Sequence, residues 1–138
     1  MAGKVVVAGL LRDVQNLSQA SGFSSARFLQ AMSVDDSTVV FASSHTTLST
    51  GGAVSNEFDQ SFDSTPTTST DTTSATVTHV MTIGTANGNF TIKRVALHDD
   101  TSTNTTATST TLFGGVDSQT LAKTTDFTLA ISLRVKVS

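Results

Sequence analysis

His98, Asp99 and Asp100 form the cluster in this sequence whose residue types could bind a metal ion or exchange protons. A metal site needs three or four ligands that converge on one point. Adjacent side chains on a strand point to opposite faces, so His98 and Asp99 could converge only in a turn. We therefore interpret the cluster as a turn that ends a strand, with a functional role as the less favoured alternative.

The other histidines and acidic residues fit structural roles. His45 lies in a polar segment, where we expect a solvated side chain, and His79 lies on the apolar face of a predicted strand. We interpret His79 as a hydrogen-bonded histidine of the core or of an interface. Asp35–Asp36 and the region Asp59–Asp63 are typical of turns and strand edges.

No catalytic motif accompanies these residues. The many serines do not form a G-x-S-x-G elbow, and the sequence around Gly84 lacks the lysine and the spacing of a phosphate-binding loop. The sequence therefore predicts no catalytic residue, no cofactor-binding residue, no cofactor and no metal site. We expect a protein that is not an enzyme.

Composition excludes several further classes of protein. The 138 residues are 14% charged with a net charge of −3, which argues against a nucleic-acid partner because such partners need a basic surface. There is no cysteine, so disulfides and thiolate metal sites are excluded. The apolar run Val5–Leu11 is too short for a signal peptide or a transmembrane helix, which needs about 20 apolar residues. We expect a soluble protein made in a cytoplasm, with no membrane partner.

The second half of the chain carries the strongest strand signals. Ala75–Thr85 alternates with its apolar residues on one face, and Asn87–Gly88 predicts a tight type I′ hairpin turn into Asn89–His98. The alternation changes phase within Asn89–His98, which indicates either a strand buried on both faces or a bulge near Lys93–Arg94. Phe127–Val137 alternates without interruption and predicts a half-buried antiparallel strand.

The remaining elements follow weaker patterns. The sequence predicts strands at Lys4–Gly9, Thr38–Ala42 and Thr110–Phe113, the last ended by Gly114–Gly115, and one short helix at Arg12–Ala20. Ala26–Met32 fits either a helix or a strand, and we favour the strand. It predicts loops at Ser43–Val54, Ser64–Ser74 and Asp99–Thr108. Phe58 and Phe62 are spaced to lie on one face of a strand.

These elements predict an all-β fold. Thr and Ser make up about a third of the chain, and threonine suits the solvated face of a sheet because it is β-branched. Seven or eight short strands with little helix are typical of an antiparallel β-sandwich, jelly-roll-like, here with one short N-terminal helix. We divide the single globular domain into an N-terminal strand and helix arm at residues 1–32 and a β-sandwich at residues 33–138.

Two elements of the second half form a longer pattern. The first contains Gly88, Phe90, Ile92, Arg94, Val95, Ala96, Leu97 and Asp99, and the second contains Leu121, Lys123, Thr124, Asp126, Phe127, Leu129 and Ile131. With the upstream run Thr46–Thr47–Leu48, this pattern resembles small virion proteins of tailed bacteriophages, related to tail-collar fibre and capsid decoration domains. The resemblance covers residues 33–138. It departs at Lys93–Arg94, where the family pattern often has Arg–Glu.

The resemblance implies a β-sandwich that assembles as a symmetric oligomer on a phage particle, so we expect a virion protein assembled in the host cytoplasm. Three roles are open: a capsid decoration (cement) protein that binds across major capsid subunits, a tail fibre, baseplate or collar component that contacts the host, and a carbohydrate-binding β module. One compact domain favours decoration over a full fibre, and the absence of Trp and Tyr disfavours sugar stacking. We expect a homotrimer that binds the major capsid protein or other virion proteins.

Overall fold

The computed structural model describes residues 3–5, 29, 31–48, 50, 54–98 and 112–137, and these residues form an all-β structure with antiparallel sheets. No helix occurs in this part of the chain, and the helix predicted at Arg12–Ala20 lies outside it. The strands are β1 (Lys4–Val5), β2 (Ala31–Asp35), β3 (Glu57–Ser61), β4 (Thr67–Thr70), β5 (Ala75–Ile83), β6 (Thr91–Ile92), β7 (Arg94–His98), β8 (Leu112–Val116), β9 (Leu121–Ala122) and β10 (Leu129–Val137).

The strands form three sheets. A five-stranded sheet has the order β1-β8-β7-β2-β3, a three-stranded sheet has the order β10-β5-β4, and β6 pairs with β9. The longest pairing joins β5 to β10, with Ile83 opposite Leu129 at one end and Ala75 opposite Val137 at the other. These are the two strands whose sequences alternate most regularly, as expected when one face of a strand is buried and the other is solvated.

The main core lies where the two larger sheets contribute side chains to one cluster. Its buried members are Met32, Val34, Phe58, Met81, Ile83, Ile92, Val95, Leu97 and Phe113. Leu129, Ile131, Leu133 and Val135 of β10 pack against this cluster and stay partly exposed. The alternation predicted for β5 and β10 is confirmed. Phe58 and Phe62 contact one core, but only Phe58 lies in a strand, because β3 ends at Ser61.

The second face of the five-stranded sheet is also covered. Phe41 and Leu48, from the irregular segment at residues 36–48, form a separate buried cluster with Ala96 and Leu112. All five residues of β7 are therefore buried, which confirms the alternative of a strand buried on both faces. The change of phase lies at Lys93, which separates β6 from β7 as the chain passes from one sheet to another.

The hairpin predicted at Asn87–Gly88 is wrong. β6 pairs with β9, and β5 pairs with β4 and β10, so β5 and β6 are not hairpin partners. Gly88 has a φ of 61°, whereas Asn87 has no positive φ, and a type I′ turn needs positive values at both residues. The segment instead turns where Asn87 N donates to Gly84 O, 3.2 Å away, and it carries the chain between sheets.

Three further predictions need correction. Thr38–Ala42 is irregular rather than a strand, because its Phe41 packs over a sheet face instead of joining one. The predicted loop Ser64–Ser74 contains the edge strand β4, whose side chains are all exposed. Gly114–Gly115 does not end a strand but lies within β8.

The structure covers other predicted elements only in part. Of the strand predicted at Lys4–Gly9 it describes β1 alone, and of the one predicted at Ala26–Met32 it describes Leu29 and the first residues of β2. The described residues of Ser43–Val54 are irregular, as predicted. Asp99–Thr108 lies outside the described residues.

Candidate functional site

Asp35 and Arg94 form a buried ion pair. Asp35 ends β2, Arg94 begins β7, and the two residues lie directly opposite each other across the strands. Arg94 Nη2 lies 2.8 Å from Asp35 Oδ2 and Nε lies 2.8 Å from Oδ1, so the ion pair is bidentate, with both side chains only 1% exposed. The expectation that Asp35 is an ordinary turn or strand-edge acid is therefore wrong, because a buried cation holds its carboxylate.

This ion pair also fixes the segment that covers the sheet. Arg94 donates to the carbonyl oxygens of Val39 at 3.3 Å and Leu48 at 3.0 Å, and its guanidinium carbon lies 4.8 Å from the centre of the Phe41 ring. The Asp35 carboxylate also accepts a hydrogen bond from Ser37 N. Both side chains of the pair therefore bind backbone atoms of the irregular segment, and we assign the pair a structural role.

All three histidines are buried. His45, predicted to be solvated, is 8% exposed because its Nδ1 accepts from Ala42 N inside the folded loop. His79 is buried as predicted, with its ring 4.6 Å from that of Phe62, but its Nδ1 does not make the predicted hydrogen bond with any described residue. Burial lowers the pKa of His79 below its ordinary value. His98 is fully buried at the end of β7, and Asp99 and Asp100 lie outside the described residues.

The remaining acids divide between turns and the sheet. Partial burial raises the pKa of Asp36, but hydrogen bonds from Asn56 and Ser55 outweigh this and lower it. Asp63 accepts from the backbone and hydroxyl of Thr82 in the neighbouring sheet, as expected of a strand-edge acid. The expectation that Asp59 is an ordinary turn or strand-edge acid is wrong, because Asp59 is fully buried in the middle of β3. No group of three His, Asp or Glu side chains in the described part of the chain is arranged to hold a metal ion.

One edge of β10 has no partner strand among the described residues. This nine-residue strand pairs with β5 on one side, and no strand in the described ranges pairs with its other side. Its centre, Leu129–Leu133, contains no charge, proline or glycine. An exposed edge of this length and composition presents backbone donors and acceptors that can pair with another strand.

An apolar cleft runs beneath this edge. One part, of about 320 Å³, lies between Leu129–Leu133 and the side chains of Ile92, Val95 and Val116. The other part, of about 230 Å³, continues along Leu133–Lys136 towards β8. Val116 and Leu133 line both parts, so the cleft follows β10 along most of its length.

Two large apolar side chains mark the end of the cleft near the start of β10. Leu121, which lines the cleft, is 42% exposed, and Phe127, just before the strand, is 39% exposed. Lys123 Nζ lies 5.3 Å from the centre of the Phe127 ring. Exposed apolar groups beside an unpaired strand edge are typical of a surface that another molecule covers. We call Leu129–Val137 with its cleft the β10 edge.

The outward face of the same sheet is polar. Arg134 lies opposite Thr78 and Lys136 lies opposite Thr76, and β4 adds Thr67 and Ser69 to the two rows.

The chain matches no known protein family, no characterised protein and no solved structure. No helix in the described ranges is long and apolar enough to cross a membrane.

The sequence contained signals for some of these features. An arginine inside the apolar run around β7 indicates a buried cation that needs an acidic partner, but its partner in β2 is 59 positions away. Nothing in the alternation of β10 shows which strand is its neighbour, or that no described strand pairs with its other side.

Proposed function

We propose that this chain is a non-enzymatic structural protein of a tailed-bacteriophage virion that decorates the capsid by binding across major capsid subunits. In this proposal the two larger sheets face each other as a jelly-roll-like β-sandwich, and the exposed surfaces of that sandwich make the contacts with other proteins. The resemblance of residues 33–138 to phage virion domains supports the biological setting.

The observation that carries an assembly role is the β10 edge. A long unpaired strand beside an apolar cleft offers both backbone hydrogen bonds and apolar area to another protein chain. The best-formed polar cluster, Asp35 with Arg94, is in contrast 1% exposed and bound to loop backbone. The surface that remains available to a partner protein therefore lies on the edges and faces of the sheets, which supports a role in binding other proteins.

A decoration protein stabilises a capsid because it binds the assembled state and not the dissociated subunits. Capsids that carry the protein should therefore release their DNA at a higher temperature than capsids without it. Removing the gene and adding back purified protein supplies the matched comparison. Equal release temperatures with and without bound protein would contradict the cement role.

Localisation in the intact particle tests the proposal directly. Antibody labelling or electron cryomicroscopy should place the protein on the capsid surface, in contact with the major capsid protein. Density confined to the tail would instead support a tail fibre, baseplate or collar component, and absence from purified particles would overturn a virion role. Binding to a glycan array would favour the carbohydrate-binding module. The homotrimer expected from the sequence stays a prediction, which a mass measurement in solution tests.

A further inference from the structure

The charges along β10 and the turn before it change sign. Asp126 lies in the turn that precedes the strand, and Arg134 and Lys136 lie on the strand near its end. The outward positions between them are uncharged and are occupied by Thr128, Ala130 and Ser132. The side chains of Asp126, Arg134 and Lys136 are exposed, and none of the three forms an ion pair with another described residue.

We propose that β10 pairs in the antiparallel direction with β10 of a second copy of this chain, about a two-fold axis at Ile131. In this register, positions equally far from residue 131 lie opposite each other. Lys136 then lies beside the turn that carries Asp126 of the second copy, and the same pair recurs on the other side of the axis. Arg134 faces Thr128, so no two like charges are directly opposite.

Charge complementarity selects this arrangement over a parallel one. If two copies of β10 paired in parallel and in register, Arg134 and Lys136 would each face an identical cation, which destabilises a sheet. Antiparallel pairing about a two-fold axis brings the acidic start of one strand to the basic end of the other. The two-fold contact also stops at two copies, because it occupies in each copy the side of β10 that no described strand pairs with.

The apolar side of β10 favours the same partner. Its inward residues Leu129, Ile131, Leu133 and Val135 are partly exposed along the cleft. A second β10 would place an identical apolar row beside them, on the same side of an enlarged sheet with the order β4-β5-β10-β10-β5-β4. Apolar surface that faces water in one copy is then covered by the other.

Reversing the two charges singly and together tests the pairing in solution. Sedimentation equilibrium of the full chain should show a monomer–dimer equilibrium instead of the homotrimer expected from the sequence. Asp126→Lys or Lys136→Asp alone should raise the dimer dissociation constant by at least about tenfold. The double variant should restore dimerisation, because it exchanges the charges and regenerates both opposite-charge pairs. Ala86→Lys, which adds a positive charge on an exposed loop, should leave the dissociation constant unchanged.

All of these positions are exposed, so circular dichroism spectra and melting temperatures of the variants should match those of the unaltered chain. A monomer at every concentration, a trimer, or a dimer that the single reversals do not weaken would each overturn the pairing. Failure of the double variant to restore dimerisation would overturn the register. Labelling of the capsid tests the proposed function separately. A protein that lies on the capsid but is a monomer in solution would contradict the self-pairing and not the decoration role.

Discussion

Arg94 and Asp35 lie opposite each other on neighbouring strands and form a bidentate ion pair with 2.8 Å contacts at a site almost closed to water. The guanidinium also binds the carbonyl oxygens of Val39 and Leu48, so one side chain joins the five-stranded sheet to the segment that covers it. This single contact therefore connects strand pairing, burial of a sheet face and the conformation of a long irregular segment.

Removing the cation should destabilise the chain severely. Arg94→Met leaves the Asp35 carboxylate buried without its ionic partner, and we expect the free energy of unfolding to fall by about 3–5 kcal/mol. Urea denaturation followed by circular dichroism measures the loss. The control is Lys93→Met, because Lys93 is adjacent, only partly buried and without an ion pair in the described structure. Equal losses in the two variants would contradict the structural role of the pair.

The double variant Arg94→Met with Asp35→Leu should lose less stability than the sum of its two single variants, because no uncompensated charge remains buried. The difference is the coupling energy of the pair. Some loss should persist, since Asp35 also accepts from Ser37 N and Arg94 also binds loop carbonyls. Strictly additive losses would show that the two residues act independently.

Two glycines make a matched pair for a packing test. A Cβ at Gly115 would lie 2.9 Å from the Phe41 ring and 2.9 Å from Ala96 Cα, and still closer to the carbonyl oxygen of Val95, whereas a Cβ at Gly84 meets nothing within 4 Å. We expect Gly115→Ala to lower the free energy of unfolding by about 3 kcal/mol, because backbone atoms must move. Gly84→Ala should leave stability unchanged or raise it by about 0.5 kcal/mol. Urea denaturation of both variants checks the contrast, and a Gly115→Ala variant as stable as the unaltered chain would contradict it.

How far the sequence predicted the fold depends on whether a signal is local. The alternation of β5 and β10 is a local pattern imposed by one buried face, and both strands were predicted close to their observed bounds. The Asn87–Gly88 signal is also local, and it indicates a turn without specifying which strands pair. The long-range pairing of β5 with β10 determines the partner of β5 instead. β4 was missed because its residues are all exposed and therefore carry no apolar alternation.

The candidate site was less predictable because it is made by tertiary arrangement. The acidic partner of Arg94 is set by the register of β2 against β7, which no local pattern specifies. Among the described strands the sheet ends at β10, and this makes the β10 edge. The same alternating sequence could equally form a strand in the middle of a sheet. The charge gradient from Asp126 to Lys136 was present in the sequence, but its meaning depends on that edge being unpaired.

His79 should make stability depend on pH. Burial lowers its pKa in the folded chain, so the unfolded chain binds more protons as the pH falls below the ordinary value of about 6.5. The neutral ring thus favours folding at neutral pH, and this contribution is lost progressively in acid. His79→Leu removes the titrating group and the Nδ1 atom that lacks a described partner. We expect the difference in unfolding free energy, variant minus unaltered chain, to increase from about pH 7.5 to about pH 5. A difference that stays constant with pH would contradict this reading of His79.

The hairpin between β4 and β5 provides a test at an exposed turn. The Asp71 carboxylate accepts hydrogen bonds from Thr73 N at 2.8 Å and from Ser74 N at 2.7 Å, and also from both hydroxyls. These donors, with the backbone of Thr73 first, lower the pKa of Asp71 from 3.8 to about 2.

Titration of the Asp71 carboxyl carbon by NMR should therefore give a pKa of about 2 in the folded chain. The ionised turn favours folding above the unfolded pKa, and this contribution is lost as the pH falls towards the folded value. Ser74→Ala removes one hydroxyl donor and should move the pKa of Asp71 back towards 3.8, whereas Thr72→Ala removes a hydroxyl that does not bind Asp71 and should leave it unchanged. An Asp71 pKa that is the same in both variants would show that the Ser74 hydroxyl does not hold the carboxylate in solution.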